Sequence, residues 1–139
     1  MKRLLLVLVL IVASLQTGLA ERRNAPRKRP VAVAFFDEER LRSSEGQATF
    51  KDFQYFFEII HQIVERDFPG VELWILRRGE LLSLPDGTRL NVGTLQPELG
   101  FVFAAAGKKR RILSGVRSDM DFACAAADFF KRSSASCPR

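Results

Sequence analysis

Apolar residues along this chain fall into three patterns: unbroken runs, one long helical stripe and short alternating stretches. Val31 to Phe36 (VAVAFF) is apolar at every position. A strand with no polar alternation has both faces covered, which predicts a central strand of a layered α/β sheet. Asp37-Glu38-Glu39 ends it, and Arg40 to Gln47 reads as a polar loop. A helix is expected from Thr49, with Thr49 and Asp52 forming a capping box. Phe50, Phe53, Phe57, Ile60 and Val64 then recur at helical spacing, and Phe56, Ile59 and Ile63 widen the stripe to about half the circumference. So wide a stripe predicts a helix clasped between the sheet and another element. Phe68-Pro69-Gly70 stops it.

Val71 to Leu76 (VELWIL) reads as a second strand. Strand, long helix and strand make a βαβ unit, so the two strands should be parallel with a right-handed crossover. Leu81 to Val92 is less decided: Pro85-Asp86-Gly87 is a turn signal, and the segment reads as a hairpin or as a short helix and loop. Leu99 to Phe103 is a further strand apolar on both faces, followed by a Gly107-Lys108-Lys109 turn. Arg110 to Val116 returns as an outer strand whose basic end blunts edge pairing. Ser118 or Asp119 caps a closing helix with Phe122, Ala126, Phe129 and Phe130 on one face, and Ser133 to Arg139 is a polar tail.

That order of elements, with Arg89-Leu90-Asn91-Val92-Gly93-Thr94-Leu95-Gln96-Pro97 leading into Leu99 to Phe103, resembles the thioredoxin-like family. The matching residues are Pro97, Phe101-Val102-Phe103, Gly107-Lys108 and Gly115. The resemblance covers most of residues 31–132. It implies a thioredoxin-like layered sheet, a parallel βαβ unit followed by a β-hairpin and a closing helix, with Pro97 as the family's cis-proline beside a ligand-facing loop. Redox-active members carry a Cys-x-x-Cys pair between the first strand and helix. Here that loop, Asp37 to Ala48, holds no cysteine. The thiolate that disulfide exchange needs is therefore missing from it.

The N-terminus changes the compartment. Lys2 and Arg3, the apolar run Leu4–Ala13 and the small residues Gly18 and Ala20 read as a secretory signal peptide over residues 1–20. The rival reading, an uncleaved membrane anchor, meets an apolar run well short of the ~20 residues a span needs. No cysteine follows the cleavage site, so no lipid anchor is expected there. The expectation is an exported protein, periplasmic or secreted, with an arm at 21–30, a domain at 31–132 and a tail at 133–139. The formal charge of +6 falls to +4 once Lys2 and Arg3 are set aside. Arg22, Arg23, Arg27, Lys28 and Arg29 crowd the arm, which reads as a solvated linker or as a tether to an anionic surface. Twelve phenylalanines against one tryptophan and one tyrosine point to an aromatic-rich core.

Candidate chemistry is sparse. Cys124 and Cys137 are the two cysteines. An oxidising compartment makes them a staple that pins the tail, free thiols or a redox pair; Cys124 is expected on the Asp128 side of its helix, away from the core. His61, the single histidine, lies at the border of the long helix's stripe and reads as structural. Asp37, Glu38 and Glu39 stand at the carboxyl end of the first strand, where open α/β sheets bind ligands. They read as a strand terminator neutralised by Arg40 and Arg42, or as a seat for Ca²⁺ or a cationic ligand. Lys108 to Arg111 reads as an exposed turn or as an extension of the arm's basic face. No cofactor or metal and no nucleic acid are expected, and no catalytic constellation is visible. The leading expectation is a binding or accessory module for a protein or peptide partner, with its ligand surface at Asp37, Glu38, Glu39, Gln96 and Pro97. One alternative is a thiol-disulfide or peroxide-handling protein using Cys124 and Cys137. The other is a basic domain anchored on an anionic envelope surface.

Overall fold

The computed structural model describes residues 28–115 and 117–138. The stretch 1–20, expected to be a signal peptide, and the arm residues Arg22, Arg23 and Arg27 lie outside the described residues. The elements are β1 (Val31–Phe36), α1 (Ser44–Asp67), β2 (Glu72–Arg77), β3 (Leu81–Ser83), β4 (Arg89–Asn91), a 3-10 turn (Val92–Thr94), β5 (Leu99–Ala104), β6 (Arg111–Ser114) and α2 (Asp119–Phe130). The fold is mixed α/β. Its four-stranded sheet has the order β2-β1-β5-β6, with β3 and β4 as a separate two-stranded ribbon. β1 runs parallel to β2, as the βαβ reading predicted, and antiparallel to β5, which pairs antiparallel with β6.

The unbroken apolar run of β1 has the expected cause. Val31 to Phe35 are fully buried because the strand lies inside the sheet with both faces covered. On one face Ala32, Ala34, Phe101 and Phe103 pack beneath α1 and α2. On the other, Val31, Val33, Phe35 and Val102 meet Leu82, Leu84, Leu90, Val92 and Leu95 from the ribbon and the turn after it. The uncertain stretch 81–92 is thus a hairpin, and its leucines form a third layer. The aromatic core is real: the Phe101 ring lies 5.5 Å from Phe53 and 4.9 Å from Phe122. Such tilted and edge-on pairs add about 0.5–1.5 kcal/mol each beyond area burial.

Several boundaries differ from the sequence reading. The long helix starts at Ser44, not Thr49, because Ser43 supplies the cap: its Oγ accepts from the Gly46 amide at 3.0 Å. Gly46 is required there, since a Cβ would stand 2.7 Å from the Leu41 carbonyl oxygen. Thr49 instead donates from Oγ1 to the Glu45 carbonyl inside the helix, at 3.0 Å. The buried face of α1 is narrower than the stripe: Phe53, Phe56, Ile60, Ile63 and Val64 are buried, whereas Ile59 is exposed. β2 is an edge strand, so Ile75 is 44% exposed. β6 is the opposite edge and is shorter than expected. Ser118 caps α2, its Oγ accepting from the Asp121 amide at 3.1 Å.

Candidate functional site

The carboxyl end of β1 brings the predicted site residues together, by a route the sequence did not show. Asp37 is fully buried. Its Oδ1 accepts from the Glu39 amide at 3.1 Å. Its Oδ2 accepts from Arg40 Nε at 2.7 Å and from Arg78 Nη1 at 2.8 Å. Burial alone would raise the Asp37 pKa, but the hydrogen bonds and charge of Arg40, with Arg78, hold it below the ordinary carboxylate value. Arg40 also donates to the Gln96 carbonyl at 2.8 Å and the Pro97 carbonyl at 3.3 Å. The Asp37 amide completes the junction on the Glu98 carbonyl at 2.7 Å. Asp37, Gln96 and Pro97 therefore converge around Arg40, which clamps the Asp37 side chain to the Gln96 and Pro97 backbone while the Gln96 side chain stays exposed.

The other two acids are likewise engaged. Glu38 accepts from Arg77 Nε at 2.7 Å and Glu39 pairs with Arg78 at 2.9 Å. Arg77 and Arg78, not Arg42, share the neutralisation with Arg40. Every peptide bond among the described residues is trans, so the bond before Pro97 is not the cis bond that the resemblance implied. No group of three or more His, Cys, Asp or Glu among the described residues is arranged to hold a metal ion.

Beside this clamp lies an apolar groove that sequence reasoning missed. Phe36 is the last residue of β1 and Phe50 sits early in α1; their rings are 4.7 Å apart. With Ala34, Phe53, Phe57 and Ile75 they wall a groove of about 320 Å³, and only Gln54 and Glu58 supply polar lining. Arg77 lies over the outer face of Phe36 at 6.0 Å from the ring centroid. The groove exists because β2 is the last strand of the sheet, so nothing beyond Ile75 closes the space between sheet and helix. The signal for it was present but ambiguous: Phe36, Phe50 and Phe57 read simply as core. Its walls are apolar apart from Gln54 and Glu58, so the groove can hold an apolar group.

Cys124 and Cys137 are joined, with Cα atoms 5.0 Å apart. Cys124 does not point away from the core: it is half-buried and packs against it, and Cys137 is buried. The tail they close is held further by Asp67. Asp67 Oδ2 accepts from Ser134 Oγ at 2.6 Å, and its Oδ1 accepts from Arg66 Nε at 2.8 Å. The Arg66 hydrogen bond outweighs burial and holds the Asp67 pKa at about 2. His61 is half-exposed and lies 3.6 Å from Glu65. In the basic turn, Lys108 donates to the Phe129 carbonyl and Arg110 reaches Thr88 Oγ1 at 2.5 Å, so only Lys109 and Arg111 stand free of such partners there. No helix among the described residues is long and apolar enough to cross a membrane.

Comparison with protein-family models, with curated proteins and with solved structures finds no match. The site has to be read from its own geometry.

Proposed function

We propose that the chain is an exported thioredoxin-like domain that works as a binding module and performs no thioredoxin-type disulfide exchange. The order β2-β1-β5-β6, with one parallel and two antiparallel pairings between helices and a ribbon, supports the thioredoxin-like reading. The ribbon then stands in for the family's peripheral helix layer.

The place of the sulfurs supports the reading without thioredoxin-type exchange. Asp37 to Ala48 carries no cysteine. The tail that holds Cys137 bonds Asp67, the last residue of α1. A 24-residue helix is roughly 36 Å long, so the disulfide lies far from the start of α1.

The observation that carries the binding role is the groove at the open edge of β2. Its volume of about 320 Å³ is at the low end for small-molecule sites and suits one or two apolar side chains. An exposed edge strand next to such a groove favours an extended peptide segment, main chain along β2 and an apolar side chain against Phe36 and Phe50. This moves the expected ligand surface from Asp37, Gln96 and Pro97, where the Asp37 carboxylate is buried and paired, to the apolar walls beside them. The test is to pan a phage-displayed random peptide library on the protein and on Ile75→Lys. Enriched peptides should carry apolar residues at alternate positions and lose binding to the variant. Failure to enrich, or equal enrichment on Ile75→Lys, removes the groove as the site.

A further inference from the structure

The described residues carry nearly balanced charge, yet the fold gathers a basic excess at one end. β1 and β2 begin, and β5 turns into β6, at the same end of the sheet, since Val31 pairs with both Glu72 and Ala104. α2 terminates there too: Lys108 bonds the Phe129 carbonyl and Arg132 bonds the Pro69 carbonyl. This end therefore gathers Lys28, Arg29, Lys109, Arg111, Lys131 and Arg132, all exposed, from three separate parts of the chain. Among its acids, Asp67 is buried and paired with Arg66, and Asp86 lies 3.8 Å from Arg110. Glu72 is half-buried, and Glu65 and Asp128 are the exposed ones. The opposite end exposes Glu38, Glu39, Glu45, Glu98 and Asp119. It also exposes Arg40, Arg42, Arg77, Arg78 and Arg117, of which Arg40, Arg77 and Arg78 are paired there with Asp37, Glu38 and Glu39.

We infer that this basic end is a docking face for an anionic lipid surface. The charges form the blunt end of a layered domain rather than a stripe or channel, which suits a plane better than a linear polyanion. Among the described residues this end exposes no aromatic residue that would stack on bases; the exposed Tyr55 lies on the middle of α1. The chain also enters the fold at this end through Lys28–Pro30, where the Pro30 carbonyl accepts from the Glu72 amide at 3.0 Å.

The test is co-sedimentation of the purified protein, as exported and lacking residues 1–20, with phosphatidylcholine vesicles, with and without phosphatidylglycerol. The protein should bind only the anionic vesicles, and added salt should weaken binding steeply. A basic residue near such a surface contributes roughly fivefold in affinity. Removing one charge from each of the three parts, in Lys28→Gln/Lys109→Gln/Lys131→Gln, should cost on the order of a hundredfold. A control with the same net charge, Arg42→Gln/Lys51→Gln/Arg117→Gln, should bind nearly as well as the parent. Thermal melts check that both fold; if a triple does not, the single Lys109→Gln should still lose roughly fivefold. Equal loss in the control, equal binding to neutral vesicles, or retention on heparin or DNA without vesicle binding would each overturn the inference.

Discussion

Arg40→Ala tests the clamp that joins the end of β1 to Gln96 and Pro97. The side chain holds one oxygen of the fully buried Asp37 carboxylate at 2.7 Å and two backbone carbonyls at 2.8 and 3.3 Å. Hydrogen bonds to charged groups contribute about 1.5–3 kcal/mol, and a buried carboxylate that loses a partner keeps its desolvation penalty. Arg78 remains on the same oxygen and Arg40 is 34% exposed, so solvent screening trims the total. The expected cost is about 2 kcal/mol at neutral pH. Urea unfolding followed by Trp74 fluorescence should show the midpoint falling by about 1 M. The sign with pH is fixed by the lowered Asp37 pKa. A depressed carboxylate contributes stability above its unfolded value of 3.8, and that contribution is lost as pH falls through the folded value. The gap between parent and variant should therefore narrow below about pH 4. Arg40→Lys should recover only part of the loss, because an ammonium cannot reach Asp37 and both carbonyls in one plane. A midpoint shift under about 0.3 M for Arg40→Ala, or full recovery by Lys, would refute the clamp.

Three further outcomes follow from the geometry. Cys124→Ser/Cys137→Ser opens a loop of sequence separation 13 and should lose about 3 kcal/mol in urea unfolding while keeping the parent's circular dichroism; unchanged stability would deny the staple its role. Asp67→Asn should cost about 2 kcal/mol at pH 7, because the native pKa of about 2 lies below the ordinary 3.8. That contribution is complete above pH 4 and lost as pH falls toward 2, so the two proteins should converge in acid; a pH-independent gap contradicts it. Gly100→Ala would place a Cβ 2.2 Å from the Leu113 carbonyl oxygen across the β5–β6 pair. The melting temperature should drop by more than about 10 °C, and a drop of a degree or two would mean that the strands separate easily.

What the sequence could announce was set by range. VAVAFF and LGFVFA are unbroken apolar runs, so their burial on both faces was legible, as was the parallel pairing of β1 with β2. The start of α1 was not, because its first turns, Ser44 to Ala48, carry no large apolar residue to extend the periodicity past the Ser43 cap. The clamp depends on Arg78 reaching Asp37 across 41 residues and on Arg40 reaching Gln96 across 56, pairings that no local pattern encodes. The groove escaped for a different reason. Phe36, Phe50 and Phe57 have the spacing of core residues, and only the position of β2 at the end of the sheet leaves them partly uncovered. Cys124 looked outward on a helical wheel, but the tail folds back over it and buries Cys137.

The most direct test of the binding role is an amide chemical-shift map of the labelled protein titrated with a peptide recovered by panning. The groove reading predicts saturable shifts centred on Phe36, Phe50, Phe57 and Ile75, absent in Ile75→Lys. Shifts centred on Asp37, Gln96 and Pro97, or on Cys124 and Cys137, with Ile75 unmoved, would contradict it.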